Sequence, residues 1–285
     1  MEKLIKEKIS SLLSDEEEVL SVEQLGGMTN QNYLVKTTNK QYIVKFFGKG
    51  TEKLINRQNE KYNLELLEDL DLDVKNYLFD IESGIKVNEY IESGVTLDST
   101  SIKSKFEKIA PILQTIHASG KELRGEFAPF EEIRKYESLI EGVIPYENYE
   151  AVRRDVFSLE KRLADLGADR KSCHIDLVPE NFIESPQGRL YLIDWEYSSM
   201  NDPMWDLAAL FLESEFTKQE EDDFLSYYES DKTPVSREKI CIYKILQDTI
   251  WSLWTVYKET QGTDFGDYGI NRYQRAIESL TYYGG

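Results

Sequence analysis

One stretch restricts the possible folds of this chain more than any other. Cys173 to Glu196 reads CHIDLVPENFIESPQGRLYLIDWE. It sets His174, Asp176, Asn181 and Asp194 around two short apolar runs, Phe182-Ile183 and Leu190-Tyr191-Leu192-Ile193. Between the runs, Ser185-Pro186-Gln187-Gly188 carries turn chemistry, since proline presets φ and glycine supplies a positive one. The pattern predicts a loop, a short strand, a tight turn and a second strand ending at Asp194. A hairpin of this kind holds Asn181 and Asp194 close together at one edge, with Asp176 on the loop ahead of it.

The chemistry that needs such a trio is phosphoryl transfer. A transferred phosphoryl group requires little covalent help from a protein. It requires magnesium on the phosphates, a carboxylate aimed at the attacking hydroxyl, and rigid positioning. Asn and Asp supply the hard oxygen ligands that magnesium prefers, and the metal keeps waters in its remaining positions. HxD, an Asn five residues after that Asp, and an apolar strand ending in Asp together resemble the kinase catalytic core. The loop here is His174-Ile175-Asp176, the strand ends in Asp194-Trp195-Glu196, and no APE-like segment follows. That pattern resembles the aminoglycoside phosphotransferase and choline kinase superfamily rather than protein kinases. The continuation through Tyr197-Ser198-Ser199 and Asn201-Asp202-Pro203-Met204-Trp205-Asp206-Leu207 is similar to choline kinases, most closely the bacterial Lic type. The resemblance implies an α+β, two-lobed protein-kinase-like fold, with a small β-rich N-lobe and a larger, mainly helical C-lobe.

The length of 285 residues suffices for two lobes and a substantial core. At 40% hydrophobic and 31% charged, the composition is that of an ordinary globular chain. The formal net charge of −19 makes nucleic acid a poor partner, because phosphate neutralisation needs clustered Lys and Arg. An acidic surface favours a cationic substrate instead, though acidity alone also serves solubility. Cys173 and Cys241 are the two cysteines, and His117 and His174 the two histidines, so neither a disulfide framework nor a zinc spacing is present. Met1 to Lys6 does not read as a signal peptide. No run approaches the ~18 apolar residues of a membrane span, and a cytoplasmic location, with its ATP and reduced thiols, is expected.

Along the chain, residues 2–13 carry a helical stripe and Val19 opens a strand. Gly26-Gly27-Met28-Thr29 then separates two strand-like runs. Its glycines could let backbone N–H groups approach phosphate oxygens, although a bare hairpin turn reads the same way. Lys45 near the end of Gln41–Phe47 resembles the kinase strand lysine that reaches the α- and β-phosphates. Glu60, in a helix expected over 52–69, is its expected partner, with a surface glutamate as the competing reading. Residues 74–81 and 85–91 read as a hairpin. The stretch Asn88 to Gly94 resembles the hinge whose backbone pairs with adenine, which marks Glu89 and Ile91. The lobes are expected to divide as residues 1–93, holding nucleotide, and 94–285, holding the catalytic and substrate residues. Helices are expected over 101–118 with a kink or restart at Pro111, 129–140, 151–166, 203–213, 217–229 and 236–260. His117 reads as a satisfied core residue.

Ile250 to Tyr257 is the second informative stretch. Trp251, Trp254 and Tyr257 fall near one helix face. Such residues are ordinary core, since Trp and Tyr bury well. They also suit a quaternary ammonium, which has no N–H to donate and must be met by π faces and diffuse negative charge. WxLW followed by an acidic loop and a Tyr-x-x-x-Arg helix resembles the choline site of choline kinases. The matching residues here are Trp251, Trp254, Tyr268 and Arg272, with Glu213 and Glu196 as nearby acids. The resemblance implies an ATP- and magnesium-dependent choline kinase. In it Asp176 accepts the hydroxyl proton, Asn181 and Asp194 hold magnesium, His174 braces the loop, and Lys45 with the glycine turn holds phosphate. A kinase for ethanolamine, thiamine or an aminoglycoside is the alternative, against which the Trp pair argues. A non-catalytic choline or nucleotide sensor is another, against which the intact trio argues. The oligomeric state is not legible.

Overall fold

The structure is a computed structural model that describes residues 2–13, 17–26, 30–48 and 50–284. In chain order the elements are α1 (Glu2–Ser10), β1 (Val19–Gln24), β2 (Gln31–Thr37), β3 (Gln41–Phe46), α2 (Arg57–Leu67), β4 (Asn76–Asp80), β5 (Ile85–Glu89), β6 (Val95–Thr96), α3 (Phe106–His117), α4 (Pro129–Leu139) and α5 (Tyr149–Leu166). They continue with β7 (Lys171–Cys173), β8 (Phe182–Glu184), β9 (Leu190–Leu192), β10 (Ser199–Asn201), α6 (Pro203–Glu213), α7 (Lys218–Tyr228), α8 (Arg237–Thr260) and α9 (Tyr268–Gly284). The chain separates into two units: Met1–Leu97 with Glu180–Tyr197, and Asp98–Pro179 with Ser198–Gly285.

The first unit is built on a five-stranded antiparallel sheet in the order β1-β2-β3-β5-β4. With the period of two along a strand, Tyr42, Val44 and Phe46 of β3 share one face. They bury with Val35, Ile85 and Val87 against Ile5 and Ile9 of α1, which accounts for the N-terminal stripe. Lys45 takes the opposite face. So does Lys86, which stands directly across from it in the β3–β5 ladder. Two lysines facing each other across a ladder repel, so this face has to supply acids. The helix expected over 52–69 starts later, at Arg57. Asn56 caps it by accepting from the Gln58 and Asn59 N–H groups, and only a short 3-10 turn, Thr51–Lys53, precedes it.

The predicted hairpin is present. Phe182 pairs with Leu192 and Glu184 with Leu190, and Gly188 closes the turn at φ 81°. Expected within a 94–285 lobe, the hairpin groups instead with the N-terminal unit. The reason is the short strand β6: Val95 and Thr96 pair with Glu184 and Ile183. Gly94 makes that approach possible, because a Cβ there would stand 2.9 Å from Ile91 Cγ2 and 3.0 Å from Ile183 Cγ2.

The second unit is mainly helical. Almost every residue of α8 from Lys239 to Lys258 is buried, the mark of a central helix. Its hydroxyls turn back on their own backbone, with Thr249 donating to Ile245 O and Thr255 to Trp251 O, both at 2.9 Å. Helix α6 begins with Asp202 as cap, accepting from Met204 N–H, and Pro203 at its first position. Gly167 caps α5 at φ 71°. Pro111 does not break α3. The interruption lies upstream, where a 3-10 turn, Ser101–Ser104, ends before Phe106. Strands β7 and β10 pair antiparallel; at three residues each, they are too short to show a period. Among the described residues no helix is long and apolar enough to cross a membrane.

Candidate active site

In the first unit, Lys45 Nζ lies 2.7 Å from Asp194 Oδ1, so the strand lysine and the aspartate that ends the hairpin meet. Burial pulls the Lys45 ammonium down, but the Asp194, Glu196 and Glu60 carboxylates outweigh it and hold the group above the usual lysine range. Asp194 itself sits in the left-handed region at φ 67°, a costly backbone conformation that tends to persist at functional sites. Asn181 is tied to the strand leading to Asp194, because Ile193 N–H donates to its carbonyl at 2.8 Å.

Glu60 is not the ion-pair partner of Lys45. Its Oε1 receives Lys86 Nζ at 3.1 Å and its Oε2 receives Arg57 Nη1 at 2.7 Å. The ladder explains this correction: each of the two facing lysines takes its own acid, Asp194 for Lys45 and Glu60 for Lys86. Glu196 also departs from expectation. It is buried in the first unit, and its Oε2 accepts from Arg57 Nη1 and Asn30 Nδ2, both at 2.8 Å. Of the glycine turn only Gly26 is described, its carbonyl accepting from Asn32 Nδ2 at 3.0 Å; Gly27, Met28 and Thr29 lie outside the described residues. Glu89 ends β5 with its N–H donating to Lys75 O at 2.8 Å, and Ile91 O accepts from Gly94 N–H at 3.0 Å.

In the second unit the HxD loop hangs on Asp206, a residue the sequence reading did not single out. Fully buried on α6, it accepts from His174 N–H at 2.8 Å, Ile175 N–H at 2.8 Å and His117 Nε2 at 3.0 Å. Trp205 Nε1 donates to Ile175 O at 3.0 Å. These bonds hold Ile175 at φ 78°, an outlier for a β-branched residue, and so fix the backbone just before Asp176. His174 is fully buried beside them. His117 is the satisfied core residue its pattern predicts, with Tyr228 Oη on its other nitrogen at 2.8 Å. Asp206→Ala would strand three buried donors. Its expected cost is about 3 kcal/mol, read as a lower urea midpoint at unchanged slope; a loss under about 1 kcal/mol would mean the loop is held by something else.

The aromatic residues form a neighbouring group in this unit. Trp251 and Trp254 stand edge to face at 6.4 Å, and Phe265 lies 5.0 Å from Trp254. Tyr268 covers the Arg272 guanidinium at 4.8 Å. Arg272 ion-pairs with Glu213 and, at 3.1 Å, with Asp248, which also holds Arg275. Burial raises the Tyr268 hydroxyl above its ordinary range; Arg272 opposes this, and the Glu213 and Asp176 carboxylates add to it. Glu213, expected as a nearby acid, belongs to this group and is ion-paired with Arg272, whereas Glu196 is ion-paired with Arg57 in the first unit.

The first unit thus holds a buried strand lysine on one aspartate, and the second a clamped, strained loop that leads into another. Residues 22–241 match the choline/ethanolamine kinase family. The chain belongs to that family. It is similar to the crystal structure of choline kinase LicA from Streptococcus pneumoniae, with 86% identity, a TM-score of 0.96 and 99% of each chain covered. A structure of LicA in complex with AMP is 87% identical, with a TM-score of 0.93, covering 99% of this chain and 98% of that one. Protein LicA of Haemophilus influenzae is 30% identical over 267 residues, or 90% of this chain and 78% of the relative.

Proposed function

We propose that this chain is a choline kinase that transfers the ATP γ-phosphoryl group to the choline hydroxyl, giving phosphocholine and ADP. The observation that carries the reading is the near-identity, along the whole chain, with the pneumococcal choline kinase. Asp176 orients the hydroxyl and accepts its proton as the oxygen attacks the γ-phosphorus and the bond to ADP breaks. The Asp206 clamp, with His174 packed beside it, keeps that carboxylate in one place. Lys45 holds the α- and β-phosphates, the glycine turn from Gly26 to Thr29 covers them, and the backbone at Glu89 and Ile91 takes the adenine. In this reading the nucleotide is held by the first unit, which includes the Glu180–Tyr197 hairpin, and the hydroxyl and choline by the second.

Asn181 and Asp194 would hold magnesium. The residues suit the ion: Asp194 already accepts a cation, the Lys45 ammonium, and Asn181 adds a hard oxygen anchored to the same strand. When bound, magnesium neutralises charge on the phosphate oxygens. A cytoplasmic site of action suits a reaction that consumes ATP.

Choline, rather than an amine with N–H groups, is favoured by the π faces. Trp251 and Trp254 wall the trimethylammonium head, with Tyr268 on α9, while Arg272 fixes Glu213 and Tyr268 from behind. A desolvated cation over an aromatic face is worth ~2 kcal/mol or more. Trp251→Ala and Trp254→Ala should therefore raise the choline KM roughly tenfold to a hundredfold and leave the ATP KM nearly unchanged. Steady-state kinetics with circular dichroism on each variant checks this. Folded variants with the parent choline KM would make the tryptophans plain core.

A further inference from the structure

Arg57 is buried, 8% exposed, yet none of the roles above uses it. We propose that Arg57 is a positioning residue for the nucleotide side of the reaction, acting through Glu196 to leave Lys45 available to phosphate. This rests on the phosphotransferase reading and not on choline as the acceptor.

The guanidinium joins four separate segments of the first unit. Nη1 reaches Glu60 on α2 at 2.7 Å and Glu196 beyond Asp194 at 2.8 Å. Nη2 reaches Thr51 Oγ1 at 3.2 Å and Asn30 Oδ1 at 3.4 Å. The Phe47 ring lies 4.0 Å below it. Asn30 reinforces the same junction, its Nδ2 donating to Glu196 and its Oδ1 accepting from Gly48 N–H at 3.1 Å. The segment flanking the glycine turn and the segment after Asp194 therefore share one anchor.

The charges explain why an arginine is needed. Lys45, Arg57 and Lys86 face Glu60, Asp194 and Glu196, and Lys45 senses all three acids. With Arg57 present, Glu196 is neutralised by Arg57, Glu60 by Arg57 and Lys86, and Lys45 stands on Asp194. Without Arg57, Glu196 is a buried carboxylate lacking its counter-ion, a state that structures avoid. Lys45 is the cation that remains within its field. A Lys45 drawn to Glu196 is lost to phosphate, and Glu196 moving to meet it drags the turn that carries Asp194.

The test is calorimetry of magnesium–ADP binding, with magnesium titrated at fixed ADP, on Arg57→Met, Arg57→Lys and the double variant Arg57→Met/Glu196→Gln. Turnover and thermal melting are measured on the same proteins. Arg57→Met should weaken magnesium–ADP binding about tenfold, the size of one displaced charge-assisted hydrogen bond, with the acceptor KM within about twofold. Arg57→Lys should fall between it and the parent. The double variant should recover most of the nucleotide affinity, because the stranded acid is gone. A merely structural arginine would lower the melting temperature and leave magnesium–ADP affinity of the folded protein unchanged, and that result overturns the proposal. So does a double variant that stays weak. If Arg57→Met does not fold, the double variant decides alone: it must fold and bind magnesium–ADP within about threefold of the parent. None of these readings involves the acceptor, so a wrong choice of acceptor would leave them intact.

Discussion

Asp176→Asn should lower kcat by about two to four orders of magnitude, the usual contribution of a positioned general base. The substitution keeps shape and removes only the capacity to take a proton. The loop itself should survive it, because its backbone is held from outside by Asp206 and Trp205. Binding of magnesium–ATP, measured by calorimetry, should stay near the parent value, as should that of choline, because the proposed choline wall does not include the Asp176 side chain. Such a pattern, kcat lost and binding kept, marks an interaction made only in the transition state. More than half of the parent activity in a folded Asp176→Asn variant would remove Asp176 from the mechanism.

Asp194→Ala should cost a further large factor, about a hundredfold to a thousandfold in turnover, the scale seen when a preorganised electrostatic group is lost. Asn181→Ala should act in the same direction, since each would remove a proposed oxygen ligand of magnesium. The loss at Asp194 should be catalytic more than structural. Lys45 would remain in the field of Glu196 and Glu60, so deleting Asp194 does not leave a buried ammonium wholly without acids. The measurement is turnover against magnesium concentration, and both variants should need several times more magnesium for half-maximal rate. Unchanged magnesium curves in both would mean that the ligands lie elsewhere.

What could be read in the sequence was local. The Glu180–Tyr197 hairpin is carried by its own turn residues and two short apolar runs, so it needs no distant partner to be recognised. Lys45 stood out because, near the end of an apolar run that follows the glycine turn, it resembles the kinase strand lysine. Its true partner did not, because that depends on the register that sets Lys86 opposite Lys45, and register is a property of two strands. Lys86, set between the buried Ile85 and Val87, offered only a charge within a short apolar run. Asp206 was hidden for a related reason. Its helix reads as apolar core, and its three donors lie 31 to 89 residues away along the chain. A lone aspartate inside Pro203–Phe211 was the available hint, since such a charge is buried only when it is fully bonded. The ion pairs of Glu213 and Glu196 were not legible, because the sequence carries no trace of which arginine meets each. The tryptophans were legible as an aromatic face, while their division between core and substrate contact was not, because both uses bury the same rings.

The central claim is the reaction itself, and the most direct measurement is ADP release by the full chain with magnesium and ATP across choline, ethanolamine, thiamine and an aminoglycoside. The account predicts saturable turnover with choline and a kcat/KM for ethanolamine at least about tenfold lower, since a primary ammonium keeps a hydration demand that π faces do not meet. Turnover with ethanolamine equal to or above that with choline, or with thiamine or the aminoglycoside alone, would contradict the choline assignment. ADP release from none of the four would contradict the enzyme.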